Sequence, residues 1–261
     1  MTDPDAEMDT SRIPTNLRTL LILEIVGKSD HALTATEINA GLGLPKQTVH
    51  RLCATLEKEG FLTREGANRR YRAAPRLRDL AVGLLHSAQG SAARRQILMD
   101  VARQVGETVN FVIPNDGGMH YLDRVETDWA FRIQLPIGTD VPFHCTASGK
   151  CYLASLSRKS RETLVSSLTL EPLTEQTHIT ASSLLTELDQ IADQGYALDC
   201  EEFIAGMVAI AVPVTDQKGR FLAAVAFHGP TQRMSVASAV ERKSVLLTAA
   251  KRLRDVVFDG N

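Results

Sequence analysis

The chain has 261 residues, of which 44% are hydrophobic and 23% are charged, and its formal net charge is −2 at pH 7. This length suits two ordinary globular domains, and the near-neutral charge excludes a wholly basic protein that coats nucleic acid. No apolar run approaches the ~20 residues of a membrane helix. Residues 1–13 read as a disordered tail, acidic and polar rather than a signal peptide, so we expect a cytoplasmic protein. Four widely spaced cysteines argue against a zinc finger or a disulfide scaffold.

The most distinctive segment has the pattern of two short helices joined by a tight turn. A threonine, Thr34 or Thr36, can cap the first helix. Gly41 and Gly43 allow the backbone to turn sharply, and Pro45 favours the first turn of the second helix. This arrangement predicts a helix-turn-helix.

The second of these helices has one apolar and one polar face. The apolar residues that share a face at helical spacing are Val49, Leu52, Cys53 and Leu56. We expect the polar face to be presented to DNA, with these residues entering or flanking the major groove: Lys46, Gln47, Thr48, His50 and Arg51. Glutamine pairs with adenine and arginine with guanine through two hydrogen bonds, whereas Lys46 and Thr48 near the helix start are equally suited to phosphates.

The flanking sequence extends the motif to a winged helix over residues 14–76. A leucine-rich helix precedes it, and residues 60–74 alternate like a hairpin with a Gly/Asn turn. Residues 44–78 carry nine cations against three anions, a charge pattern typical of a phosphate-binding surface. Arg69 and Arg70 at the wing tip would then contact the DNA backbone or minor groove. The alternatives are an ordinary solvated surface or a protein-contact module.

After the wing, the pattern predicts a linker helix over residues 77–90 and an α+β domain over 91–261. The apolar stripe of the linker helix needs a partner, either the next domain or another subunit. The expected elements are a break at Gln89-Gly90-Ser91, helices at 92–104, 147–155, 158–166, 182–194 and 236–257, and strands at 108–113, 119–125, 130–135, 196–200, 207–214 and 221–228. With a hairpin turn at 115–118, these favour a largely antiparallel sheet.

Strand alternation in this domain indicates a pocket. Ala224, Ala226 and His228 share one face of a strand, and Ala209 and Ala211 share one face of another. Small side chains beside a single imidazole leave space for a ligand. The alternative is that a helix packs tightly against the alanines.

With these features in place, the chain resembles the IclR family of bacterial transcriptional regulators over nearly its whole length. The matching motifs are Leu33-Thr34, Glu37-Ile38, residues 43–56, residues 138–150, Asp199-Cys200-Glu201-Glu202, Gly206, residues 211–214 and Gly229-Pro230. The chain departs from the family at Gln47, where serine is usual, and at Ala73-Ala74, where Leu-Gly is usual.

The resemblance implies a DNA-binding dimer, often a tetramer, whose C-terminal GAF-like domain binds a small metabolite. The effector contacts that it implies are Ala147, Ser148, Asp199, Met207, Ala209, Ala226 and His228. Family members that bind small oxo-acids carry cysteine and serine at the last three positions. Because this chain has two alanines and a histidine there, we expect a carboxylate held by His228 and by backbone N–H groups from Ala147 to Gly149.

Two other interpretations have less support. Ser148-Gly149-Lys150 is similar to the end of a phosphate loop, but the required glycine and hydroxyl are missing at His144 and Cys151. A metal held by His144, Cys145, Cys200 and His228, or an enzyme or sensor that uses the first two with His228, lacks tight ligand spacing. We therefore expect a regulator that is not an enzyme, with no catalytic residue, metal or cofactor.

Overall fold

The computed structural model describes residues 13–29, 31–65, 69–86, 88–129 and 135–257. The chain divides into two compact units between Leu84 and Leu85, which is inside the predicted linker 77–90. The predicted tail 1–13 lies outside the described residues except for Ile13, which is buried in the first unit. No helix in the described ranges is long and apolar enough to cross a membrane.

The first unit has the element order of a winged helix, as predicted. Its elements are α1 (Thr15–Gly27), α2 (Ala35–Ala40), α3 (Lys46–Lys58), β1 (Leu62–Glu65) and β2 (Arg70–Ala73). Ile22, Ile38 and Val49, one from each helix, are fully buried together. Leu33 and Tyr71 exchange two backbone hydrogen bonds of 2.9 and 2.7 Å, which tie β2 to the segment before α2.

The start of the helix-turn-helix follows the sequence prediction. Thr34 caps α2: its hydroxyl accepts the Glu37 backbone N–H at 3.2 Å, and the Glu37 carboxylate accepts the Thr34 N–H at 2.6 Å. This capping box satisfies two of the donors that a helix start leaves open.

The turn itself differs in part from the prediction. Gly43 has φ of +62°, which favours glycine, but Gly41 has φ of −87° and needs no such freedom. Pro45 precedes α3 as its N-cap rather than lying in the first turn. Asn39, which the sequence reading missed, clamps the turn through two hydrogen bonds to the backbone of Leu44, at 2.8 and 2.9 Å.

The second unit is α+β, as predicted. Helix α4 (Pro75–His86) spans the division between the units, and the second unit continues with α5 (Ala88–Val105), β3 (Thr108–Pro114), β4 (Met119–Val125), β5 (Asp140–Val141), α6 (Ala147–Ser155), α7 (Arg158–Ser167), α8 (Ala181–Gln194), β6 (Ala197–Cys200), β7 (Met207–Thr215), β8 (Phe221–Pro230), α9 (Val236–Glu241) and α10 (Lys243–Val257). The 115–118 turn joins β3 to β4, closed by the Asn115 N–H on the Gly118 carbonyl at 2.8 Å.

Two predicted elements differ, and a third lies almost wholly outside the described residues. Residues 89–91 lie inside α5 and do not interrupt it, because one glycine costs a helix only ~1 kcal/mol and this helix packs along the sheet and α10. The final helix is two helices, because the Arg242 N–H bonds three residues back to Ala239 and breaks the regular ladder. The predicted strand 130–135 lies outside the described residues except for Leu135, which is in no strand.

The sheet has the strand order β5-β4-β3-β8-β7-β6, and each neighbouring pair is antiparallel. Helix α6 packs on the face that carries the alanines, together with α8. Helices α5 and α10 contact the sheet too, and every residue from Met207 to Val212 is buried, so both faces of β7 are covered. The sheet thus presents small side chains to α6.

Candidate binding sites

The polar face of α3 is exposed, as the sequence predicts. Lys46, Gln47, His50 and Arg51 are exposed, and Thr48 is half-buried. Val49, Leu52, Cys53 and Leu56 are buried on the other face. Among the described residues, no acidic side chain forms an ion pair with Lys46 or Arg51, so both cations face solvent from this helix. That leaves their charge available to a polyanion.

The other cations of the basic segment 44–78 are less available to a polyanion than the composition of the segment suggests. Several of its cations form ion pairs between described residues of the unit: Arg64 with Glu57 at 2.8 Å, Arg70 with Glu37 at 3.0 Å, Arg72 with Glu65 at 3.4 Å and Arg76 with Glu59 at 3.8 Å. Internal pairing offsets part of the positive field that a phosphate backbone would meet. The cations of α3 and the wing tip therefore matter more than the total count.

The two wing arginines have different surroundings. Arg69 is exposed, and its φ of +50° places it in the left-handed conformation of a tight turn. Arg70 is half-buried, and its guanidinium donates to the Ala32 carbonyl at 2.8 Å as well as pairing with Glu37. Since Glu37 also caps α2, Arg70 fastens the wing to the helix-turn-helix.

A cavity lies in the second unit between the sheet and the start of α6. About 310 Å³ of space free of atoms lies within its walls, part of it open to solvent. Seven of the eight residues predicted for an effector line it: Ala147, Ser148, Asp199, Met207, Ala209, Ala226 and His228. Five further residues that the sequence reading missed complete the lining: Asn110, Val112, Tyr121, Thr146 and Phe203.

The sheet register explains why these side chains meet. Ala209 on β7 lies directly opposite Asp199 on β6 and opposite His228 on β8. Ala226, two residues from His228, therefore lies on the same face. The alanine methyls leave the space between the imidazole and the carboxyl group open. Tight packing of a helix against the alanines, the alternative to a pocket, is also present in part, because the alanines share one packed hydrophobic cluster with Ala147 of α6.

The start of α6 forms the opposite wall of the cavity. Thr146 caps this helix, with its hydroxyl accepting the Gly149 N–H at 3.1 Å. Gly149, the eighth predicted residue, does not line the cavity: a Cβ there would lie 2.4 Å from the Phe143 carbonyl oxygen. Glycine is needed because the helix approaches the chain at Phe143 closely. The N–H groups of Ala147 and Ser148, in the first turn, have no acceptor within the helix itself.

Asp199 is a buried carboxyl group in the cavity wall. It is 1% exposed, and its Oδ1 accepts the backbone N–H groups of Glu202 at 2.8 Å and Phe203 at 3.3 Å. Burial, reinforced by the nearby Glu202 carboxylate, raises the pKa of Asp199 to about 7. This group therefore changes charge near neutral pH.

Asn110 is the missed residue with the clearest signal in the sequence. It is a polar residue among the apolar residues that follow Thr108 in β3, and it is 2% exposed. Its side chain lies 3.0 Å from His228 Nδ1 and accepts a hydrogen bond from Arg124 at 3.1 Å. Phe203, from the loop after β6, carries no comparable signal.

A buried charge network lies behind the first turn of α6. The Lys150 ammonium, fully buried, donates to Glu187 at 2.7 Å and to Glu202 at 2.5 Å, and His178 Nε2 lies 2.5 Å from the other oxygen of Glu187. Burial alone would lower the pKa of Lys150, but the two carboxylates raise it. The ammonium is thus charged.

His178, Glu187 and Glu202 also have the residue types of a metal site, with ligand atoms within 4.8 Å of one another. Lys150 already supplies a cation bonded to both carboxylates, so a divalent ion there would meet a buried positive charge at close range. The arrangement fits a structural network better than a metal centre.

The cysteines and histidines of the enzyme and metal-sensor alternatives do not combine into a reactive site. Burial raises the pKa of the Cys145 thiol to about 12, so the nucleophilic thiolate is disfavoured. His144 Nε2 lies 3.0 Å from the Glu171 carbonyl oxygen. Over the described ranges, His144, Cys145, Cys200 and His228 do not converge as a group of metal ligands.

Comparisons with known proteins match both units. The model of the IclR helix-turn-helix domain matches residues 17–66, and that of the bacterial transcriptional regulator IclR C-terminal domain matches 83–254. The probable transcriptional regulator SauR of Cupriavidus necator is 40% identical over 220 residues, 84% of this chain and 87% of that protein.

Solved structures agree on the fold. The Thermotoga maritima IclR crystal structure superposes with a TM-score of 0.62 at 25% identity, over 94% of this chain and 99% of that one. An IclR homologue from Microbacterium hydrocarbonoxydans, crystallised in complex with 4-hydroxybenzoate, has a TM-score of 0.58 at 23% identity, over 95% and 100% of the two chains.

Proposed function

The chain belongs to the IclR family of DNA-binding transcriptional regulators, and on that premise we propose that a small carboxylate in the second unit controls how the first unit binds an operator. The observation that carries the proposal is the cavity between α6 and the sheet. It combines a space that is open in part to solvent, a helix start and an imidazole.

The proposed DNA contacts are those of a helix-turn-helix. Helix α3 enters the major groove, where Gln47, His50 and Arg51 reach base edges and Lys46 and Thr48 hold phosphates near the helix start. Arg69 contacts the backbone or minor groove from the wing tip. Arg70 has a supporting role in this proposal, because its guanidinium is engaged with Ala32 and Glu37.

The proposed effector is an anion small enough for the cavity. The first-turn N–H groups of Ala147 and Ser148 and the imidazole of His228 favour a carboxylate, and a helix N-terminus adds a positive field. Binding of 4-hydroxybenzoate by the Microbacterium homologue supports this chemical class. Asp199 opposes it when ionised, which makes binding sensitive to pH.

The proposed assembly is a homodimer or a tetramer built from such dimers. Leu80 and Leu84 on α4 are 50% and 65% exposed in the single chain, and a palindromic operator needs two recognition helices about 34 Å apart or a multiple of that. A monomeric mass in solution with operator binding intact would refute the dimer.

Because the proposed target of the protein is genomic DNA, we place the protein in the cytoplasm and assign it no enzymatic activity.

A thermal-shift screen of small carboxylates tests the proposal, with each acid run beside its primary amide. A ligand at about 100 times its dissociation constant stabilises a protein by ~2.7 kcal/mol, which moves the melting temperature measurably. At least one acid should stabilise the protein more than its amide and alter its affinity for a selected operator. If no acid does either, the effector proposal fails.

A further inference from the structure

Three polar side chains form a relay across three adjacent strands beside the cavity. Arg124 on β4 lies directly opposite Asn110 on β3, and its guanidinium donates to Asn110 Oδ1 at 3.1 Å. The Asn110 amide nitrogen lies 3.0 Å from Nδ1 of His228 on β8. All three residues are at most 4% exposed, so these bonds are largely shielded from bulk water.

The hydrogen bond between Arg124 and Asn110 determines which atom donates in the contact between Asn110 and His228. A guanidinium has only donors, so the Asn110 atom that faces Arg124 must be the oxygen. The amide NH₂ of Asn110 then faces His228 and can only donate, so His228 Nδ1 must accept. A ring that accepts at Nδ1 is neutral and carries its hydrogen on Nε2.

We infer that Asn110 and Arg124 are positioning residues that hold His228 as a neutral Nε2–H donor, so that the cavity selects ligands that present a hydrogen-bond acceptor. The inference deepens the proposed function and rests on it for the ligand. Carboxylate and carbonyl oxygens accept such a bond, whereas an ammonium group cannot. The Arg124 guanidinium behind the ring is itself paired with Glu126, 3.4 Å from its Nε, so the selectivity comes from the hydrogen-bond donor of the ring.

Nuclear magnetic resonance on the full chain with ¹⁵N-labelled histidine tests the inference without any ligand. Long-range ¹H–¹⁵N correlations distinguish the two neutral tautomers from imidazolium, and the His228→Gln variant identifies the His228 signals. We expect the Nε2–H tautomer at neutral pH. Finding the Nδ1–H tautomer or imidazolium in the unmodified protein would overturn the inference.

The Asn110→Asp variant tests the relay itself. A carboxylate at 110 still pairs with Arg124 but only accepts, so it requires a hydrogen on His228 Nδ1. The His228 spectrum should change to the Nδ1–H form or to imidazolium. Asn115→Asp makes the same chemical change in the exposed β3–β4 turn and should leave the spectrum unchanged. An unchanged spectrum in Asn110→Asp would also overturn the inference.

Addition of propionate or propylammonium separates this inference from the proposed function. Propionate should shift the His228 Nε2 signal and propylammonium should not; equal shifts would overturn the selectivity. If none of a series of acids shifts the signal although the tautomer is Nε2–H, the effector proposal fails while the relay stands. If acids bind but the tautomer is Nδ1–H, the relay fails while the effector proposal stands.

Discussion

Asp199 and His228 lie on either side of Ala209 in one row of residues across three neighbouring strands. At about 4.7–4.9 Å per strand, their backbones are roughly 9–10 Å apart, with only a methyl group between them. A ligand above Ala209 therefore meets a hydrogen-bonding imidazole at one end and a carboxyl group at the other. The protonation of that carboxyl group decides whether an anion is tolerated.

Affinity for a carboxylate effector should therefore depend on pH. The pKa of Asp199 is raised to about 7, so protonation on lowering the pH removes a negative charge from the cavity. Between about pH 8 and about pH 6, we expect binding to tighten by up to about tenfold, since one proton is taken up with the ligand. Isothermal titration calorimetry at both pH values measures this.

Asp199→Asn is the matched control, because its amide oxygen can still accept the two backbone N–H groups while the side chain stays neutral. The effector affinity of this variant should be nearly independent of pH in this window.

The raised pKa of Asp199 also predicts how the stability of the second unit depends on pH. Because the pKa is higher in the folded than in the unfolded state, the contribution of Asp199 to stability is lost as pH rises from about 4 through 7. If effector affinity or stability depends on pH equally in the unmodified protein and in Asp199→Asn, another group titrates.

Filling the cavity should remove the response to the effector while leaving DNA binding intact. Ala226→Leu places a large side chain in the ligand's space, and overpacking should cost ~1–3 kcal/mol of stability. Ala224→Leu is a suitable control, because Ala224 is buried on the same face but does not line the cavity. Both variants should have a lower melting temperature than the unmodified protein, but only Ala226→Leu should lose effector binding. A response that survives in Ala226→Leu would mean that the cavity is only a packing defect.

The two arginines Arg51 and Arg70 should behave differently when changed to alanine. Arg51→Ala removes an exposed cation of α3 and should cost ~1–3 kcal/mol of operator affinity with relaxed base preference if it reads a base. Arg70→Ala should lower the stability of the first unit, because Arg70 joins the wing to Glu37 and Ala32. Binding to a base-substituted operator series, beside melting curves, separates them. Relaxed specificity in Arg70→Ala with full stability would place it at the DNA instead.

Gly149→Ala should strongly destabilise the second unit. A Cβ at this position would lie 2.4 Å from the Phe143 carbonyl oxygen, so α6 would have to move away from the backbone that it contacts. We expect a loss of at least ~1–3 kcal/mol, comparable to overpacking elsewhere in a core. Gly117→Ala, with no atom within 4 Å of the added Cβ, should change little. Denaturant unfolding of both variants tests this, and equal stability would contradict it.

The elements of this fold follow largely from periodicity. The apolar spacing in α3 and the alternation in β7 and β8 predicted helix and strands within a few residues, because burial imposes those periods directly. A threonine cap at Thr34 or Thr36 was predictable since capping is local, and the structure has it at Thr34. The roles of Asn39 and Gly41 were not, because a side-chain clamp and an ordinary φ at glycine depend on the final path of the turn.

The site was predictable in its strand positions but not in its connections. His228 and Ala209 share a face by simple alternation, yet the Asn110–His228 contact joins residues 118 apart. The Arg70–Glu37 pair joins residues 33 apart and gives a wing arginine a partner inside the unit. Such contacts depend on the assembled sheet and wing, which composition and local pattern do not determine.

In the proposed function, a carboxylate bound in the α6 cavity changes DNA binding by the first unit. The direct measurement is fluorescence anisotropy of a labelled operator duplex, selected from genomic fragments, titrated with protein in the presence and absence of the carboxylate that gives the largest thermal shift. We expect the acid to change the operator dissociation constant of the unmodified protein, whereas Ala226→Leu should bind the operator normally and not respond. An acid effect of the same size in both proteins, or in neither, would contradict it.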